Sequence, residues 1–149
     1  MRITSNTKDF LESNQITTFA SNITMKKIIE TSNAPAPIGP YSQAVQVGNL
    51  LYVSGQIAIV PTTGELLLTN IEEETHQVMK NIGAILTEAK TDYSQIVKAS
   101  IFLKDMNDFA KVNAVYGSYF TSDFPARETV QVSVLPKNVN VEITVIAMV

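Results

Sequence analysis

Two apolar strands open the patterned part of the chain. Residues 42–47 and 50–59 are joined by Gly48-Asn49, a dipeptide suited to a two-residue hairpin because glycine supplies the positive φ at its first position. Pro61-Thr62-Thr63-Gly64 marks the next turn. From Ile71 the period lengthens. Ile71, Thr75, Val78, Met79, Ile82, Ile85, Leu86 and Ala89 form a helical stripe. Thr69 with Glu72 fits a capping box, and Glu72, Glu73 and Glu74 occupy the first turn, where the helix dipole favours them. Residues 96–104 read as a strand rich in β-branched and aromatic residues. Asp105 or Asn107 can cap a second helix with the stripe Phe109, Val112, Tyr116, Tyr119 and Phe120. Strands at 127–135 and 141–149 follow, separated by a turn at 136–140.

The order β-β-α-β-α-β-β, with room for a short extra strand at 27–30, predicts one α+β domain. Its mixed sheet carries both helices on one face. Alternation assigns Val130, Val132 and Val134, with Val141, Ile143, Val145 and Ala147, to the helix side. It sends Arg127, Thr129, Gln131 and Ser133, with Glu142, Thr144, Ile146 and Met148, to the other side. That second face is partly apolar, so a partner surface is expected, most economically a symmetric homo-oligomer. Residues 1–24 are rich in Ser, Thr and Asn and show neither a regular period nor the apolar stretch of a secretory signal. They are expected to be a flexible N-terminal extension to a domain at 25–149, with Met25 as the natural start.

Composition narrows the chemistry. With 149 residues, 45% apolar and 17% charged, the chain can build a core. A net charge of −3 offers no global attraction to nucleic acid or anionic membrane, and no apolar run is long enough to span a bilayer. The absence of cysteine excludes disulfides, thiolate catalysis and thiolate metal sites. His76 is the single histidine and reads as a helix-surface residue. Chemistry must therefore rest on Arg, Lys, Tyr, acids, hydroxyls or backbone groups.

Several residues of those types stand at informative positions, and each admits two readings. Arg127, beside a proline turn, is a solvated edge charge or a clamp for a carboxylate, which arginine can grip through two parallel hydrogen bonds. Glu142 is either at the wet end of its strand or held by a partner. Tyr41, after Ile38-Gly39-Pro40, is a core aromatic or a pocket wall. Asn113, at the edge of its helical stripe, bonds a loop or supports a site. Ser54-Gly55-Gln56 interrupts an apolar strand, as a plain bulge or as a place where exposed amides hold an anion. Taken together they suggest a small polar pocket.

PIGPYSQAV (37–45), LYVSGQI (51–57), KDMNDFAKVNAVY (104–116), FPAR (124–127) and VNVEITVIA (139–147) resemble the reactive intermediate deaminases, the RidA group of the YjgF-like family. The resemblance covers essentially all of 25–149. It implies a chorismate-mutase-like α+β fold assembled as a homotrimer with active sites between subunits. It also implies hydrolysis of reactive enamines and imines, such as 2-iminopropanoate and 2-iminobutanoate, to 2-oxo acids and ammonia, without cofactor or metal. By the same resemblance Arg127 binds the carboxylate of the imino acid substrate and Glu142 lies near the attacking water. Tyr41 is the pocket tyrosine, Ser54 and Gly55 form pocket wall, and Asn113 is the supporting amide. Thr129 falls where some members have cysteine, implying a backbone or hydroxyl role. Glu128 departs from the small residue often found after the arginine; alternation puts it on the other face, yet a neighbouring carboxylate would weaken an anion site. The alternative is a ligand-binding or chaperone-like module with little hydrolysis. Neither nucleic acid nor membrane is expected as a partner, and a cytoplasmic location is expected.

Overall fold

The computed structural model describes residues 25–149, so the extension expected at 1–24 lies outside the described residues. Six strands form one mixed sheet: β1 (Lys27–Ile29), β2 (Ala44–Val47), β3 (Leu50–Gln56), β4 (Ile96–Leu103), β5 (Ala126–Gln131) and β6 (Val141–Met148). Their order is β1-β2-β3-β6-β4-β5, antiparallel throughout except for the parallel pair β4–β5. The last strand thus closes the middle of the sheet. Helices α1 (Ile71–Glu88) and α2 (Phe109–Gly117) pack on one face. The expected α+β domain is present.

Local chemistry explains most of the elements. Gly48 takes φ 61° in the turn that pairs Val47 with Leu50, the conformation a tight hairpin demands. The α1 stripe holds, with Val78, Met79, Ile82, Ile85 and Leu86 fully buried. The cap is Asn70 and not Thr69. Asn70 is extended, and its side chain accepts from the Glu73 N–H at 2.8 Å, so the helix starts one residue later than the Thr69–Glu72 box implied. Asp105 caps the short turn that leads into α2, accepting from the Asn107 N–H at 2.9 Å. The acidic first turn of α1 is not uniformly solvated either, because Glu74 points inward and is fully buried. His76 is likewise only partly exposed, its Nδ1 lying 2.9 Å from the Tyr119 hydroxyl.

The strand after α2 corrects the alternation argument. Val141, Ile143, Val145 and Ala147 face the helices as expected. They stand opposite Leu103, Ile101, Ala99 and Ile96 of β4. Parallel β4–β5 pairing then sets Arg127 beside Ala99, Thr129 beside Ile101 and Gln131 beside Leu103. Laterally paired residues share a face. Arg127, Thr129 and Gln131 therefore lie on the helix side, and Glu128 and Val130 on the open side. The period was right and the face inverted. Val130 is 41% exposed and Val134 66% exposed; Val132, past the end of β5, packs against a separate cluster of Ile57, Ile59, Leu135 and Val139. The physical reason is position. β5 is the edge strand, whose inner face meets the flank of α2 and the turn before it and not the central core, so burial does not select its valines for that side.

The open face keeps its predicted apolar character. Ile28, Val47, Tyr52, Val130 and Met148 are all exposed there. No helix among the described residues is long and apolar enough to cross a membrane.

Candidate functional site

Phe109, Asn113 and Tyr116 recur at helical spacing, so one flank of α2 presents all three toward β5. Arg127 lies against that flank. Its Nη1 donates to Asn113 Oδ1 at 2.7 Å, and its guanidinium carbon sits 5.2 Å from the Tyr116 ring centroid and 5.8 Å from that of Phe109. Stacking and the amide fix the plane of a side chain that would otherwise wander. Gly117, Phe124 and Pro125 complete a recess of about 440 Å³ around it. Burial raises the Tyr116 phenol to about 12, against the opposing influence of Arg127. The Tyr116 hydroxyl and Thr129 Oγ1 are buried without a hydrogen-bond partner among the described residues. Arg127 itself remains exposed. This arrangement presents an oriented, solvent-accessible cation to an incoming anion.

The second cluster lies on the other side of the sheet. Tyr41, Ser54, Gly55, Ile57, Pro136 and Glu142 line a cavity of about 310 Å³. One wall is the proline-rich loop, and Gln43 pins it. Only 2% exposed, Gln43 donates its side-chain amide to the carbonyls of Thr31, Ala34 and Pro35 and accepts from the Thr31 N–H. Tyr41 is held to the same loop, its hydroxyl accepting from the Ile38 N–H at 3.3 Å. Ser54 ties β3 back, donating its hydroxyl to the Ser42 carbonyl at 2.7 Å and its N–H to the Gln43 carbonyl at 3.0 Å.

The floor is the interruption in β3. Pairing with β6 slips between Val53 and Gln56, and the resulting bulge brings the Gly55 backbone under the Glu142 side chain. A β-carbon at position 55 would lie 2.8 Å from the Glu142 carboxyl carbon, closer than real contacts allow. Glycine is therefore what lets the carboxylate rest there. Partial burial pushes the Glu142 carboxyl above the usual range, desolvation being the cause. A carboxylate raised this way is a better base than one in water.

The residues singled out in the sequence thus fall into two groups. Tyr41, Ser54, Gly55 and Glu142 converge on one cavity; Arg127 and Asn113 converge on another, with Thr129 on the same face of β5. The expectation that Arg127 and Glu142 share a face is corrected, and one chain does not bring them together. Glu128, whose proximity to Arg127 raised a concern, stands on the opposite face from it. There it contacts Lys98 and Ser100, which hold its carboxyl below the usual range. Gln43 escaped the sequence reading. Its signal was a polar residue at the entrance of an apolar strand, directly after the loop it supports.

Comparisons with known proteins identify the family to which this fold belongs. The family model described as endoribonuclease L-PSP matches residues 31–149. A 2-iminobutanoate/2-iminopropanoate deaminase of Bos taurus is 50% identical over 124 residues, covering 83% of this chain and 90% of the relative. A crystal structure of a Rid-family protein of unknown function from Yersinia pestis has 52% identity and a TM-score of 0.82, covering 84% of this chain and all 100% of that one. A crystal structure of TdcF from E. coli with bound serine has 40% identity and a TM-score of 0.79, covering 83% and 98%. The motifs, the sheet order and these matches over most of the chain have one meaning: it belongs to the Rid family, the YjgF-like proteins.

Proposed function

We propose that this chain is a hydrolytic deaminase of small 2-imino acids and their enamine tautomers, working as a homotrimer of chorismate-mutase-like architecture. The observation that carries the reading is the pair of open half-sites. An oriented arginine stands on one face and a partly desolvated carboxylate over a glycine bulge on the other, each out of reach of the other within the described residues. A second copy laid across the apolar open face would join the two. The relatives favour the chemistry, since the Bos taurus protein bears the deaminase name and TdcF binds an amino acid.

Arg127 grips the substrate carboxylate through paired hydrogen bonds, and Asn113 keeps the guanidinium aimed. The iminium carbon is then held over the Glu142 cavity. Being strongly electrophilic already, it needs positioning and a modestly activated water. Glu142 takes a proton from that water as its oxygen bonds to C2, giving a tetrahedral 2-amino-2-hydroxy acid. Glu142 returns that proton to nitrogen; as the C–N bond breaks the C2 hydroxyl becomes the carbonyl and gives its proton back to Glu142, which passes it to the departing ammonia, so that ammonium and the 2-oxo acid leave. Tyr41, Ile57 and Pro136 shape the space for the substrate side chain. Thr129 contributes backbone or hydroxyl to the carboxylate end.

The test is decay of 2-iminopropanoate generated in situ by an amino-acid oxidase. The wild type should accelerate it, and Arg127→Ala should lose roughly 2–5 kcal/mol of transition-state binding, as for other truncated charge pairs. A folded Arg127→Ala variant with full activity would remove Arg127 from the site. A wild type that binds 2-oxobutanoate but leaves imine decay at background would make the chain a ligand-binding module.

A further inference from the structure

Glu74 is the one charged side chain among the described residues that is fully buried, at 0% exposure. No cation pairs with it among the described residues, where the only ion pair is Lys98–Glu128. Its carboxylate is held by N–H groups. Oε1 accepts from the backbone N–H of Asn140 at 2.7 Å and of Val141 at 3.3 Å, and Oε2 accepts from the Asn140 side-chain amide at 2.8 Å. The positive end of α1, in whose first turn it sits, adds support.

Burying a carboxylate is costly unless several donors meet it. The point of attachment shows what this one secures. Residues 136–140 form a tight turn in which Lys137 and Asn138 take φ 54° and 57°, values disfavoured without glycine. Pro136, at one end of the turn, lines the same cavity as Glu142, two residues beyond its other end. Glu74 is therefore bonded to the segment that joins a wall of the cavity to its carboxylate. Lys104, whose N–H donates to the Asn140 carbonyl at 2.9 Å, and the pairing of Leu103 with Val141 share that task on the β4 side.

We infer that Glu74 is a positioning residue, which sets where the Glu142 carboxylate stands by clamping the backbone of Asn140 and Val141. The rate arm of its test rests on the deaminase reading, and the titration arm does not. Glu74→Gln keeps one oxygen for the two backbone donors, and a flip of the Asn140 amide satisfies the new NH2 group. Glu74→Ala removes the clamp. Glu74→Asp keeps the charge and withdraws it by one methylene.

Titration of the Glu142 carboxyl, followed by carbon NMR and assigned with Glu142→Gln, is the first readout. Tyr41 is the other titratable group lining its cavity, and Glu74 itself faces the strand from α1. In the Ala and Asp variants the midpoint should fall toward the ordinary glutamate range as the carboxylate reaches water; in the Gln variant it should stay. In imine turnover, Glu74→Ala should lower kcat about tenfold with KM within about twofold, a loss of the kind misplacement causes. Glu74→Gln should restore it, and Glu74→Ala should cost nothing further in a Glu142→Gln background. A folded Glu74→Ala protein with unmoved titration, unmoved kcat, or a loss that compounds undiminished on Glu142→Gln overturns the inference. If Glu74→Ala does not fold, Glu74→Asp decides by the same criteria. A wild type without imine turnover defeats the deaminase reading, and the titration alone then judges Glu74.

Discussion

Arg127 and Glu142 stand on opposite faces of one sheet. Arg127 pairs laterally with Ala99 and Glu142 with Phe102, and positions 99 and 102 of β4 differ by an odd number, so their side chains leave the sheet in opposite directions. No rotamer change brings the guanidinium and the carboxylate together within the chain. A site that uses both must draw them from two copies.

Complementation between impaired variants tests this directly. Arg127→Ala and Glu142→Gln, each strongly impaired but measurable alone, are co-expressed or refolded together in equal amounts. With random mixing in a closed ring, half of the copies bring an intact arginine and half an intact carboxylate to each junction, so about a quarter of wild-type turnover should return. No recovery in verified hetero-oligomers would show that Arg127 and Glu142 do not share a site.

Gly55→Ala separates stability from function. Gly55 does not adopt a positive φ, so alanine meets no backbone strain. The atoms it would strike are the tip of Glu142, which can swing away. The variant should fold with a melting temperature close to wild type and lose turnover by roughly 10- to 100-fold through the displaced carboxylate. Equal activity would show that Glu142 does not need its place on the bulge.

Acid should inactivate the protein earlier than an ordinary glutamate would. Desolvation raises the Glu142 carboxyl, and in the proposed mechanism the ionised form is the base. The acid limb of kcat/KM should therefore have its midpoint above the ordinary glutamate value of about 4.3. The same shift has a consequence for stability. A folded carboxyl with a raised pKa opposes its own ionisation, so the wild type loses stability relative to Glu142→Gln as pH rises from the unfolded toward the folded value. The gain in melting temperature from Glu142→Gln should be absent below about pH 4 and present at pH 7. A constant gap across that range would show that the carboxyl is not desolvated.

Asn113 orients Arg127 without supplying charge. Asn113→Ala should raise KM about three- to tenfold with kcat little changed, the pattern of lost ground-state binding. Asn113→Asp should raise KM further, because a carboxylate 2.7 Å from the guanidinium would compete with the substrate. Steady-state kinetics on 2-iminopropanoate reads both, and unchanged constants would make Asn113 a spectator.

Glu128 follows Arg127 in sequence and is separated from it by the sheet. Its contacts with Lys98 and Ser100 lie at the solvent-exposed surface of the open side, where such pairs contribute little. Glu128→Gln should leave KM within about twofold of wild type. A large fall in KM would mean that its charge does reach the anion site.

Much of this molecule is legible along the chain because local rules produced it. The α1 stripe, the Gly48-Asn49 hairpin, the inward face of β6 and the partly apolar open face all follow from periodicities of 3.6 and 2 and from the conformational freedom of glycine. The chemistry-bearing residues were also visible, since a chain without cysteine and with one histidine leaves few candidates. Alternation in β5 gave the period and could not give the face. A single strand carries no information about which side its neighbours cover, and at a sheet edge the apolar residues need not face inward.

The tertiary structure alone decided the grouping of the site. Pairing Ile101 with Thr129 and with Ile143 placed Arg127 under α2 and Glu142 over the bulge, and so turned one expected pocket into two halves. It also turned Glu74 inward to hold Asn140, across 66 residues of sequence. Glu74 lies three residues after Ile71 and four before Val78, a spacing that shares their face, yet a glutamate in a helix's first turn is satisfied equally well by solvent. Only the donors brought opposite it by the fold make the buried position tenable, and that contact is set by long-range packing, on which local sequence is silent.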